Sequence, residues 1–409
     1  GLGTGSLSGV GSVAVNRLNN KVIAQIGDWD DSTDSGSVSA GSVAVTAQND
    51  MDLINVAGSV AAATGGTEGS GTAGGLAVAL NLVGTHEHST KAYISNTNLQ
   101  VDDHLTVKAG SGSSGEENLL VGNAVAVGIS AASGGGLAFA GAIGVNNVDQ
   151  KVHAGIKDVG DSSASQMTGD VIVQSYDYTD SVSTAWMLAV SANGAAGGVA
   201  VATNRVDSDV TAEIKGDNST RGSTSLNAQN VYVDALRNNW LLTIDAGIAA
   251  SKQGSLAGSV GTGVIDGDVT ARITNDAKVE AYNNILVNAD AKSVNLVGSG
   301  AIGVGLDTGA GAIAISTAVE YGKTKAYIEN ADVTALGKGD SMLVDTGDLD
   351  NYGTLPDLST AGQTEDDGDD TNSDAVDMDD LTTGFDTLDF AKSTEYASGL
   401  VVNATSRTK

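Results

Sequence analysis

The chain has 409 residues, 50 acidic and 20 basic side chains, a net charge of −30, one proline and no cysteine. So acidic a surface excludes nucleic acid and anionic membranes as electrostatic partners, and the lack of cysteine excludes disulfides and thiol chemistry. Aromatics make up only 4% while glycines number 55, so the interior is expected to be thin and filled by Val, Ala, Ile and Leu.

In chain order, one arrangement of segments recurs. A Gly/Ala-rich apolar strand opens each unit: 11–18 (GSVAVNRL), 75–83, 136–148, 198–206, 255–265 and 311–319. A polar pair follows, such as Asn19-Asn20, Asp149-Gln150, Asp207-Ser208 or Asp266-Gly267. Next comes a five-residue stretch with Ala at its centre and Ile at its end: VIAQI, TKAYI, VHAGI, VTAEI, VTARI and TKAYI, closing at Ile26, Ile94, Ile156, Ile214, Ile273 and Ile328. Period-two alternation places Val, Ala and Ile on one face of a strand and residues such as Tyr93, His153, Glu213 and Arg272 on the other. A polar loop, a Val-x-Val strand (Val43 and Val45, Val171 and Val173, Val231 and Val233) and a fourth apolar segment complete the unit.

Six imperfect repeats of about sixty residues, with no sustained helical period, predict an all-β array. Two architectures compete. Asp266-Gly267 is a two-residue hairpin signal, which favours stacked antiparallel hairpins. A hairpin, however, would set Val206 against Asp209 and Ile265 against Asp268, a poor cross-strand match. Treating the polar pairs as corners instead gives an elongated parallel β-solenoid, with two turns of about thirty residues per repeat. The solenoid is the preferred expectation. The array is expected over 1–344, an acidic insertion or loop region over 345–392, and the first strand of a further repeat over 393–409, because GLVVNATSRTK echoes Gly11 to Lys21.

The pairing of a GxVAVN-type strand with a TKAYI-type strand resembles the repeats of very large bacterial secreted adhesins, the filamentous-haemagglutinin-like and leukotoxin-type filamentous adhesins. The resemblance covers about 1–344 and returns at 399–409. It implies an extracellular or cell-surface, non-enzymatic, rod-like protein used for adhesion or cohesion in a biofilm matrix. Its partners would be copies of itself, joined head-to-tail or laterally, and cell-surface or matrix polymers. No membrane insertion is expected, since no apolar run is long enough to span a bilayer. A polysaccharide-binding or polysaccharide-degrading β-helix is the alternative. An enzyme of that class needs paired carboxylates on rigid strands with aromatic platforms, whereas the acids here fall mostly in loops and the three tryptophans form no stripe.

Calcium is the one expected cofactor. Asp28, Asp30, Asp31 and Asp34 crowd one loop, and Asp345, Asp348 and Asp350 form a second candidate, with Asp366 to Asp380 a third. Closely spaced carboxylates suit a cation that takes six to eight oxygens. His86-Glu87-His88 has the spacing of a two-histidine metal pair, but no third ligand lies nearby in sequence, so it reads as a solvated turn. The runs AASGGG and AAGG precede strands, lack a following Gly-Lys-Ser/Thr and read as bends rather than phosphate cradles.

Overall fold

A computed structural model describes residues 2–30, 36–65, 69–85, 87–160, 167–216, 224–345 and 394–409. Among these residues the chain is strand and turn, with no helix. It divides into two units, Gly1–Gly339 with Gly399–Lys409, and Asp340–Ser398. In the second unit, Met342–Asp345 pairs antiparallel with Thr394–Ala397.

The first unit is built from parallel ladders whose partners lie one repeat away. Ala92 pairs with Ala154, and Ala212 with Ala271. Val148 pairs with Val206, and Val206 with Ile265. Stacked antiparallel hairpins are therefore not the arrangement. Nor does each repeat hold two thirty-residue layers, since every ladder step spans the whole repeat.

Two long sheets carry the unit. The first holds Leu7–Leu18, Thr72–Val83, Leu137–Lys157, Ala195–Lys215, Gly254–Asp266 and Gly309–Glu320 in sequence order, extended on one side by the short Val-x-Ala-x-Ile strands. The second holds Asp52–Ala63, Asn118–Ser130, Val171–Ser191, Val231–Ser251 and Ile285–Gly305. Short ladders on the polar loops, such as Ser225–Ala228 beside Lys278–Ala281, add a third wall.

The polar pairs are not corners in the middle repeats. Leu137–Lys157 and Ala195–Lys215 run unbroken through Asp149-Gln150 and Asp207-Ser208. Val206 and Val210 are four residues apart, so a straight strand already directs both inward, along with Ser208 between them; all three are buried. Asp266-Gly267 makes no hairpin either. Gly267 has φ of +105°, and a Cβ there would lie 2.3 Å from the Ser208 carbonyl oxygen in the neighbouring repeat, so the glycine permits a close approach between layers.

The interior is stratified. Beneath the Val-x-Ala-x-Ile strands lies a Val/Ile core, with Ile94, Ile156, Ile214 and Ile273 fully buried. Ala92, Ala154, Ala212 and Ala271 form the expected buried column, and Ala24 and Ala326 at its ends are partly buried against it. A polar belt comes next, then a thin row of Val83, Leu120, Val148, Val206, Leu241 and Ile265. Beyond that row an asparagine ladder crosses the first sheet: Asn16 Nδ2 donates to Asn81 Oδ1 at 3.0 Å, and Asn81 Nδ2 to Asn146 Oδ1 at 2.9 Å. Between the remaining halves of the two sheets the core is almost entirely alanine.

The C-terminal segment departs from expectation. Leu400–Thr408 pairs in parallel with Ile285–Ser293, register Ile285 to Leu400. It therefore occupies the third-strand column and supplies the sixth repeat's Val-x-Val position after the intervening unit. Its likeness to Gly11–Lys21 misleads because both are short alternating apolar strands, which sequence alone does not assign to a column.

Candidate functional site

The outward positions of the Val-x-Ala-x-Ile strands converge into a row across the repeats. The fourth positions read Gln25, Tyr93, Gly155, Glu213, Arg272 and Tyr327 in ladder order. Glu213 is 3% exposed. Its carboxylate accepts from Arg272 Nε and Nη2, both at 2.7 Å, and lies 2.9 Å from His153 Nε2. Arg272 Nη1 donates onward to the Tyr327 hydroxyl at 3.2 Å. Burial alone would raise the Glu213 carboxyl, but the hydrogen bonds and charges of His153 and Arg272 outweigh it and hold the pKa at about 2.

On the other side of His153 the row becomes aromatic. Trp29 stacks on Tyr93 with ring centroids 4.9 Å apart and meets His153 edge-on at 5.0 Å. Gly155 makes room for it, since a Cβ there would sit 2.5 Å from Trp29 Cη2. Lys157 Nζ donates to the Trp29 carbonyl at 3.1 Å and lies over the indole. Burial, followed by the charge of Asp30, pushes the Tyr93 phenol up to about 12. Glu213, Arg272, His153, Tyr327 and Lys157 are each engaged by a residue of another repeat, so this part of the row works as a brace tying repeats together.

A polar belt lies inside. Asp177 is fully buried and accepts from Gln150 Nε2 at 2.6 Å and Thr179 Oγ1 at 2.9 Å. Burial raises its pKa to about 6, opposed by hydrogen bonds from Ser208 and Thr179 and by the charge of Arg237. Arg237 is its ladder neighbour and donates Nη1 to the carbonyls of Asp266 and Gly267 at 3.1 and 2.7 Å. His88 belongs to this belt. It is 4% exposed, and its Nδ1 accepts the Asn20 N–H at 3.0 Å. Burial lowers its pKa, partly offset by Asp149. The solvated-turn expectation fails for His88 because the ring is buried, with Nδ1 held by the Asn20 N–H and Nε2 beside the Asn49 amide; Glu87 remains exposed and pairs with Lys21 and Lys91. His86 lies outside the described residues.

Of the expected calcium ligands, Asp28 and Asp30 stand at an exposed turn where Asp28 Oδ1 accepts the Asp30 N–H at 3.0 Å. Asp345 ends the strand Met342–Asp345. Asp31, Asp34, Asp348, Asp350 and Asp366 to Asp380 lie outside the described residues. Among the described residues no group of three or more His, Asp or Glu is placed to hold a metal.

The largest unassigned feature is the surface of the alanine-cored half. With alanine filling the space between the sheets, the bulky residues of both sheets point outward. On the first sheet Leu7 is 77% exposed, Val13 67%, Ile313 62% and Leu256 60%. On the second, Ile54, Val56, Trp186 and Ile302 are exposed. A shallow apolar groove of about 720 Å³ crosses the first sheet, lined by Phe139, Val199, Leu256 and Ile313 with glycines between them. The repeat pattern located these strands, but its thin-interior expectation did not reveal that their larger side chains would face away from the core.

No protein-family profile matches the chain, and no curated protein or solved structure shows a significant similarity to it.

Proposed function

We propose that the first unit is a β-solenoid of six imperfect repeats and that the chain is an extracellular structural or adhesive protein, a rod-like segment of a surface adhesin or a fibre subunit. The observation that carries this reading is the column of in-register parallel ladders, one step per repeat, from Leu7–Leu18 to Gly309–Glu320. Stacked repeats bury only neighbouring repeats and build length instead of a cleft. The described ion pairs and polar rows brace that stack, and the surface between them is apolar and suited to contact with other polymers or other copies. Calcium remains a proposed stabiliser of the acidic loops.

The reading is tested by imaging the purified chain by electron microscopy and by measuring its retention on cell surfaces and matrix polysaccharides. Narrow particles that bind or associate without turning over a substrate are expected. Compact particles that cleave a polysaccharide would replace this reading with the enzymatic one.

A further inference from the structure

We propose that the outward face of the first sheet is a self-complementary interface that seats the same face of a second copy of this chain. This rests on the structural-protein reading above and narrows self-association to one surface.

The face is uncharged in a chain of net charge −30. Its five outward columns begin at Leu7, Gly9, Gly11, Val13 and Val15 and run across six strands without a single Asp, Glu, Lys or Arg. The second sheet's outward face is likewise uncharged over five columns, but its next column carries Asp52 and Asp180, whereas the next column of the first sheet carries Arg17 and Arg205. Two chains this acidic approach most readily where neither presents a charge. The size is also right. Six strands about 4.8 Å apart and five outward positions about 6.6 Å apart give a patch of roughly 900 Å². A standard stable interface uses roughly 800 Å² per partner, and contiguous apolar patches of more than a few hundred Å² mark interaction sites.

The relief supports a copy of the same face as the occupant. One column reads Gly9, Gly74, Phe139, Gly197, Leu256, Gly311, and the next reads Gly11, Leu76, Gly141, Val199, Gly258, Ile313. Bulky residues and glycines thus alternate both along and between columns from the second strand onward, giving ridges beside the groove. A second copy has the same strand spacing, so its ridges match the grooves of the first. This is the interdigitation by which paired sheets exclude water. A two-fold axis lying in the plane of the contact closes it as a pair. An anionic lipid surface fits less well, because acidic side chains including Asp149, Asp207 and Asp266 lie on the same strands beyond the patch.

The test is sedimentation of the full chain in high-salt buffer, comparing wild type with Val199→Glu, Leu256→Glu and, on the second sheet, Ile248→Glu. A wild-type dimer weakened at least ten-fold by the first two changes and not by the third is expected. Because the chain has no cysteine, Val199→Cys provides a second measurement independent of an introduced charge. Its oxidation should yield a disulfide-linked dimer, while Ile248→Cys should not. A wild-type monomer at every concentration, or a dimer sensitive only to Ile248→Glu, would overturn the proposal. So would a monomer that floats with phosphatidylcholine vesicles. Narrow but unpaired particles in electron micrographs would reject this interface and leave the proposed function standing, whereas compact particles would reject the latter.

Discussion

Replacing Glu213 by Gln isolates the brace between repeats. The Glu213 pKa falls from 4.5 to about 2 in the folded chain, which corresponds to roughly 3 kcal/mol of stability with the carboxylate ionised. The sign follows from the depression. Below pH 4.5 the unfolded chain takes up a proton that the folded chain refuses, so this stability is complete above about pH 4.5 and is lost as pH falls towards 2. Glu213→Gln keeps the side-chain shape while removing the charge, and leaves Arg272 with the Tyr327 hydroxyl at 3.2 Å. Urea unfolding followed by circular dichroism from pH 7 to pH 2 should show the variant less stable by about 2–3 kcal/mol at pH 7. The difference should shrink through the acid limb and vanish near pH 2. Combining the change with Arg272→Gln should cost less than the sum of the two single changes, since each alone strands a partner. An equal acid limb in wild type and variant, or a difference under about 0.5 kcal/mol at pH 7, would refute the electrostatic account.

Three further outcomes are expected. Ala212→Leu, in the fully buried alanine column, should overpack the Val/Ile core and cost about 1–3 kcal/mol in thermal or urea unfolding, while Ala326→Leu at the partly buried end of that column costs less. Asp177 behaves oppositely to Glu213: its folded pKa is raised from 3.8 to about 6, so the folded chain holds the proton more tightly and wild-type stability should rise as pH falls from 6 towards 4. The stability difference between wild type and Asp177→Asn should change by up to about 3 kcal/mol across that window, and a constant difference would reject the assignment. Finally, chelation should lower the melting temperature and calcium restore it, with magnesium a poor substitute; if Asp28→Asn with Asp345→Asn leaves that response intact, these carboxylates are not the ligands.

The repeat, its strands and the buried alanine column were legible because a period-two pattern repeated six times constrains which face is inside. The path between strands was not. The polar pairs resembled corners because Asp and Gly signal turns locally, yet the even spacing of Val148 and Val152, or of Val206 and Val210, is satisfied by a straight strand, and the inward Gln150 finds partners in the belt. The outward row was legible as a set of variable residues, but its pairing was not. Glu213 meets Arg272 because the register is one whole repeat, a separation that no local spacing rule captures. Trp29 reaches Tyr93 and His153 from the loop after its own strand, where only the unoccupied space above Gly155 admits it.

The alanine-filled half shows how the interior determines the surface. The sheets approach so closely that a Cβ on Gly128 would meet the Phe139 carbonyl oxygen at 2.2 Å, and one on Gly247 would meet the Gly258 carbonyl oxygen at 2.4 Å. Nothing larger than Ala, Ser or Gly fits along most of that seam. Inward alanines bury little apolar area each, at roughly 25 cal/mol per Å², so this half gains less from its own core than the Val/Ile half does. Its larger side chains, Val199, Val201, Leu256 and Ile313, lie on the outside instead. A parallel sheet ordinarily has both faces covered. Here the covered face holds the small residues and the open face the large ones, so most of the apolar area available to this half is still in water until another surface meets it.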